Sequence, residues 1–138
     1  MADIGVSTVI RSHEDFAKVV ESVRCMFPDW DPKQAFGDSE FPQNRSELIL
    51  EGSSDSLEIL FDLAREQRIL DTALDAMSMR LNGDYTEFSI SRQAAIVGKL
   101  SFMLEQGTMG GEIVVSIRRE GLTEWLERST WHPGRDSV

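Results

Sequence analysis

An apolar or threonine residue at every second position, in three separate stretches, is the feature that most constrains this chain. Ile4, Val6, Thr8 and Ile10 form the first set, Thr86, Phe88 and Ile90 the second, and Ile113, Val115 and Ile117 the third. Period two predicts strands with one face turned to a core. Leu48 and Leu50 give a shorter strand over 47–51, and a further short strand fits Lys33 to Phe36. Residues 99–104 also read as a strand, joined to 112–118 by a loop holding Gly107, Gly110 and Gly111. That glycine spacing matches neither a P-loop nor a dinucleotide fingerprint, so a hairpin turn accounts for it.

Helical spacing separates these strands. Phe16, Val19, Val20, Val23 and Phe27 predict an amphipathic helix over 14–27, entered through Ser12 and Asp15 and stopped by Pro28. Gly52 to Ser54 read as a turn, with Asp55 as the next helix cap. Leu57, Leu60, Phe61 and Ala64 make one stripe; Ile69, Leu70, Ala73, Leu74, Met77 and Leu81 make another, out of phase with it. The phase shift predicts two helices, or one bent helix, meeting near 66–68. Asn82-Gly83 then closes the second, 91–97 gives a short helical turn, and 122–128 a last helix with Trp125 and Leu126 inward. The order predicts an α+β fold: a two-layer sandwich with a largely antiparallel sheet and helices packed on one face. At 138 residues the chain suits one domain over 1–138, with the tail 130–138 expected to fray.

The net charge is -10, which on average repels nucleic acid and anionic membranes. The acidity is uneven: residues 64–100 hold Arg65, Arg68, Arg80, Arg92 and Lys99 against an equal number of acids, and are neutral. A solvated acidic surface is the plainer account of the rest. No apolar run reaches the roughly 20 residues that span a bilayer, and the first residues lack a signal-peptide layout. The single cysteine, Cys25, permits no intrachain disulfide and fits a reducing compartment, so the cytoplasm is the expected location. On an ideal helix Cys25 lies about 180° from Phe16, away from the apolar stripe.

Two histidines, His13 and His132, are too few for a zinc site, and no metal or cofactor is expected. Asp71 and Asp75 share a helix face, but no nucleophile accompanies them, so no catalytic residue is assigned.

Two longer motifs bear on function. Gln67-Arg68-Ile69-Leu70-Asp71-Thr72-Ala73 and Arg92-Gln93-Ala94-Ala95-Ile96-Val97-Gly98-Lys99-Leu100-Ser101-Phe102 resemble the two signatures of an archaeal family of uncharacterised proteins, labelled predicted RNA-binding or exosome-associated. Phe27-Pro28-Asp29 and Ser54-Asp55-Ser56-Leu57 agree with it in place. The likeness spans about residues 5–118; Leu74 stands where the family carries arginine, and residues 128–133 depart from its proline-rich ending. The resemblance implies a fold similar to the 5S rRNA-binding ribosomal protein, a homodimer, and no assigned activity. A packing account of both motifs stands beside it: Ile69, Leu70 and Ala73 face the core, Ala94 and Ala95 allow close approach, and Gly98 permits a bend.

The reading that follows is a non-enzymatic domain that binds RNA or joins an RNA machine, making backbone-led contacts of weak sequence specificity. Arg65, Arg68, Arg80, Arg92, Gln93 and Lys99 are the candidate RNA contacts, provided they gather on one surface. The lone Tyr85 and the packing role expected of the tryptophans give little sign of base stacking. DNA and membranes are not expected partners. The alternatives are an acidic protein–protein interaction module and a small-molecule enzyme with a cleft at a dimer interface.

Overall fold

The computed structural model describes residues 3–11, 14–34, 47–103 and 111–134. Among them six strands form one sheet: β1 (Asp3–Arg11), β2 (Lys33–Gln34), β3 (Glu47–Ser54), β4 (Tyr85–Ser91), β5 (Phe102–Met103) and β6 (Glu112–Arg118). Their order is β2-β3-β1-β6-β4-β5, and every pairing is antiparallel. The register places the alternating residues in rows. Val6 faces Val115, which faces Phe88; Thr8 faces Ile113, which faces Ile90; Ile4 faces Ile117, which faces Thr86. All nine are buried. Five helices cover this face: α1 (Phe16–Arg24), α2 (Glu58–Glu66), α3 (Leu70–Ser78), α4 (Arg92–Ile96) and α5 (Leu122–Ser129). The arrangement is the two-layer α+β fold that the sequence predicts.

The two buried threonines are satisfied locally. Thr8 Oγ1 donates to the Glu112 carbonyl at 2.8 Å, and Thr86 Oγ1 donates to the Met77 carbonyl at 2.5 Å. The second bond ties the end of α3 to β4, so each hydroxyl meets the acceptor that burial demands.

Several elements differ from their sequence expectation, each for an identifiable reason. The β3 strand runs through Gly52 to Ser54 instead of turning there. Gly52 sits opposite Val6, and the Trp30 indole packs over it; a Cβ at Gly52 would lie 2.7 Å from Trp30 Nε1. The glycine therefore serves close approach within a strand. Trp30 is buried and donates from Nε1 to the Val6 carbonyl at 2.9 Å. Helix α1 is capped by Asp15, which accepts from the Ala17 and Lys18 N–H groups, and it ends at Arg24, before Phe27. Phe16, in its first turn, is 50% exposed rather than part of the core, and Cys25 is exposed as expected.

Asp55 does not cap α2. Its own N–H donates to Asp29, and Ser56 Oγ accepts from the Glu58 N–H instead. Helix α3 stops at Ser78, and Gly83 takes its left-handed φ of 63° in a tight turn where Asn82 and Tyr85 exchange backbone bonds. Strands β5 and β6 do not form a hairpin, because both pair with β4, one on each side. The expected turn glycines 107 and 110 lie outside the described residues, as does His13. The start of the tail is packed: Thr130 is fully buried and its Oγ1 donates to the Leu126 carbonyl.

Candidate phosphate-binding site

Three residues, Gln67 to Ile69, separate α2 from α3, where the two apolar stripes change phase. The Ile69 N–H bonds to the Ala64 carbonyl at 2.8 Å and the Arg68 N–H to the Arg65 carbonyl at 3.2 Å. These are the two bonds of a Schellman cap, with Gln67 as the last cap residue and Arg68 in the left-handed position. Arg68 has φ 60°, the one positive value among the described non-glycine residues. Glycine suits that position, because an L side chain there costs on the order of 1–2 kcal/mol.

The elbow encloses a hollow of about 320 Å³ lined by Arg65, Arg68, Leu70, Asp71 and His132. Arg65 belongs to the last turn of α2 and Asp71 to the first turn of α3, each with the sign its helix end favours. Arg65 also lies 3.6 Å from Asp62, both more than half exposed, a weak surface pair. His132 arrives from the far end of the chain. The buried Thr130 turns the backbone after α5, and His132 Nε2 then meets Asp71 Oδ1 at 3.0 Å. Trp131, beside it in sequence, is 48% exposed, which corrects the packing role expected of every tryptophan.

The six sequence candidates do not gather on one surface. Arg65 and Arg68 share the elbow. Arg92 and Gln93 line a separate groove between α1 and α4. Arg92 is held away from solvent: its Nη2 lies 2.7 Å from Glu14 Oε2, and its side chain is 6% exposed. Its role is to clamp α4 to the end of β1, since Glu14 Oε1 also accepts the Arg11 N–H at 2.9 Å. Gln93 is exposed. Arg80, half-buried after α3, lines a third hollow with Glu87 and Met103. Lys99 is exposed in the bend after α4, next to Leu100, whose backbone is bound by Gln67.

Charge separates the four hollows described here. The α1–α4 groove balances Lys18 and Arg92 with Glu14 and Asp15. A hollow at the end of the sheet sets Arg118 against Asp3 and Asp55, and the one at Arg80 sets it against Glu87. Among the described lining residues, only the elbow has more cationic than anionic side chains, two guanidinium groups against Asp71. Arginine forks match phosphate oxygens bidentately. His132 and Asp71 were not legible as site residues, because 61 positions separate them. Among the described residues no three metal-ligating side chains come together.

No family model matches the chain. It is 31% identical over 134 residues to a UPF0201 protein of Sulfolobus acidocaldarius, covering 94% of this chain and 90% of the relative. A UPF0201 protein of Methanothermobacter thermautotrophicus is 29% identical, over 91% of each. A crystal structure of a UPF0201 protein from Methanococcus jannaschii shares the fold with a TM-score of 0.79, at 24% identity and over 96% of both chains. A DUF54 protein structure from Methanothermobacter thermautotrophicus gives a TM-score of 0.64 at 18% identity, over 94% of this chain and 97% of the other. On the sequence relationship, this chain belongs to the archaeal UPF0201 family.

Proposed function

We propose that this protein is a non-enzymatic RNA-binding or RNA-machinery-associated domain that grips phosphate at the α2–α3 elbow. The observation that carries the reading is Arg68: a left-handed cap position suited to glycine holds an arginine, and Arg65 lines the same hollow. Backbone strain of this kind concentrates at functional sites. Contacts there are backbone-led and of weak sequence specificity. A titration of labelled single-stranded RNA at two salt concentrations tests it. The expected result is saturable binding whose log–log salt slope is about -0.7 per phosphate contacted, lost when Arg65 and Arg68 are both replaced by alanine. Absence of binding at low salt removes the reading.

A second reading, a protein-interaction module, is favoured by the other face of the sheet, on which none of the helices among the described residues packs. Gly5, Ser7, Ser53, Ser89 and Ser116 put small residues on it, and Ile49 is 40% exposed there. The homodimer belongs to this reading, with a second copy against that face; a monomer mass by light scattering at all concentrations overturns it. A cytoplasmic location completes the proposal. No helix among the described residues is long and apolar enough to cross a membrane.

A further inference from the structure

We infer that the elbow hollow takes the phosphorylated end of an RNA chain, a terminal phosphomonoester with its nucleoside, in preference to an internal phosphodiester. The inference rests on the RNA reading above and names the part of the RNA that fits. Size is the first argument. About 320 Å³ lies at the lower end of small-molecule pockets, the size of about one nucleotide. The pair formed by His132 and Asp71 at 3.0 Å stands on one side of the hollow, where the C-terminal segment meets the first turn of α3.

Charge is the second argument. A phosphodiester carries one negative charge, whereas a phosphomonoester carries about -1.5 to -2 near neutral pH and presents three oxygens. Two guanidinium groups can each engage such a group through parallel N–H bonds. A diester has two unbridged oxygens and serves the pair less well.

The surroundings are the third. Outside the hollow the exposed side chains of α2 and α3 include Asp62, Glu66 and Asp75, on a chain of net charge -10. A backbone laid along these helices meets carboxylates on either side of the elbow. A chain end enters the cationic hollow without running past them.

The test uses the full chain and three labelled oligonucleotides of one sequence, bearing a 5′-phosphate, a 3′-phosphate or hydroxyls at both ends. Unlabelled inorganic phosphate and adenosine 5′-monophosphate serve as competitors. One phosphorylated end is expected to bind about ten-fold or more tightly than the hydroxyl-ended chain, with competition by the mononucleotide. Arg68→Gly is expected to abolish that preference while circular dichroism shows the fold retained, since glycine suits the cap; Arg65→Gln serves as the second variant. Equal affinity for all three oligonucleotides overturns the inference and leaves the RNA reading standing. Binding of the mononucleotide without any oligonucleotide overturns it in favour of a free nucleotide. A preference that survives in both variants places the site elsewhere, and no binding of any probe removes this inference and the RNA reading together.

Discussion

The Gln67 side-chain amide is bonded twice to the backbone of Leu100: its Nε2 donates to the carbonyl at 2.8 Å and its Oε1 accepts the N–H at 2.8 Å. Gln67 opens the first long motif and Leu100 lies near the end of the second, so the two motifs are stapled to each other. Leu100 is buried, and nothing in a shorter side chain replaces either bond. Gln67→Ala is therefore expected to cost about 2–3 kcal/mol, since a buried donor and acceptor lose their partners. A lowered urea midpoint with an unchanged slope is the expected reading. A midpoint within error of the parent shows that water takes over both bonds.

Arg68 gives the opposite prediction. Replacing it with glycine relieves the left-handed backbone at φ 60° and is expected to stabilise the fold by about 0.5–1 kcal/mol. Arg68→Val, which puts a β-branched side chain at the same φ, is expected to destabilise it. Thermal melting of the two variants decides. If Arg68→Gly lowers the melting temperature, the arginine side chain stabilises the elbow, and its presence there needs no functional explanation.

The ion pair of Arg92 and Glu14 supplies a double-substitution test. Arg92→Met leaves Glu14, 24% exposed, without its guanidinium and is expected to cost about 3 kcal/mol. Glu14→Gln with Arg92→Met removes both charges and is expected to recover at least half of that loss. Additive losses in the cycle would show no coupling between the two side chains. RNA affinity measured on Arg92→Met should stay near the parental value, because this guanidinium is buried away from the elbow.

Much of the fold was readable because it rests on local periodicity. The alternation in Ile4 to Ile10, Thr86 to Ile90 and Ile113 to Ile117 sets which face is buried, and the phase break after Ala64 locates the elbow. What failed depended on distant partners. Gly52 looks like a turn residue until Trp30 is placed above it. Asp55 looks like a cap until Asp29 is found bonded to its N–H. The site shared this limit. Arg65 and Arg68 were legible as neighbours on one turn, whereas Arg92 resembled them in sequence and is separated from them by its bond to Glu14. His132 carried no local signal, since its partner is Asp71 on α3.

Asp29 joins the two shorter motifs as Gln67 joins the longer ones. Its Oδ1 accepts from Ser54 Oγ at 2.8 Å and its Oδ2 from the Asp55 N–H at 2.7 Å. The backbone bond from Asp55, the largest effect, holds the carboxyl below its ordinary value of 3.8; burial opposes it by less, and the Ser54 hydroxyl adds a smaller lowering. The unfolded chain therefore takes up this proton at a higher pH than the folded one. The stabilisation by Asp29 is complete above the ordinary carboxylate range and is lost as pH falls through the lowered folded value. Urea midpoints of the parent and Asp29→Ala, measured from pH 7 down to pH 2, are expected to differ at neutral pH and to converge in acid. A gap of constant size down to pH 2 would assign the effect of Asp29 to packing and not to its charge.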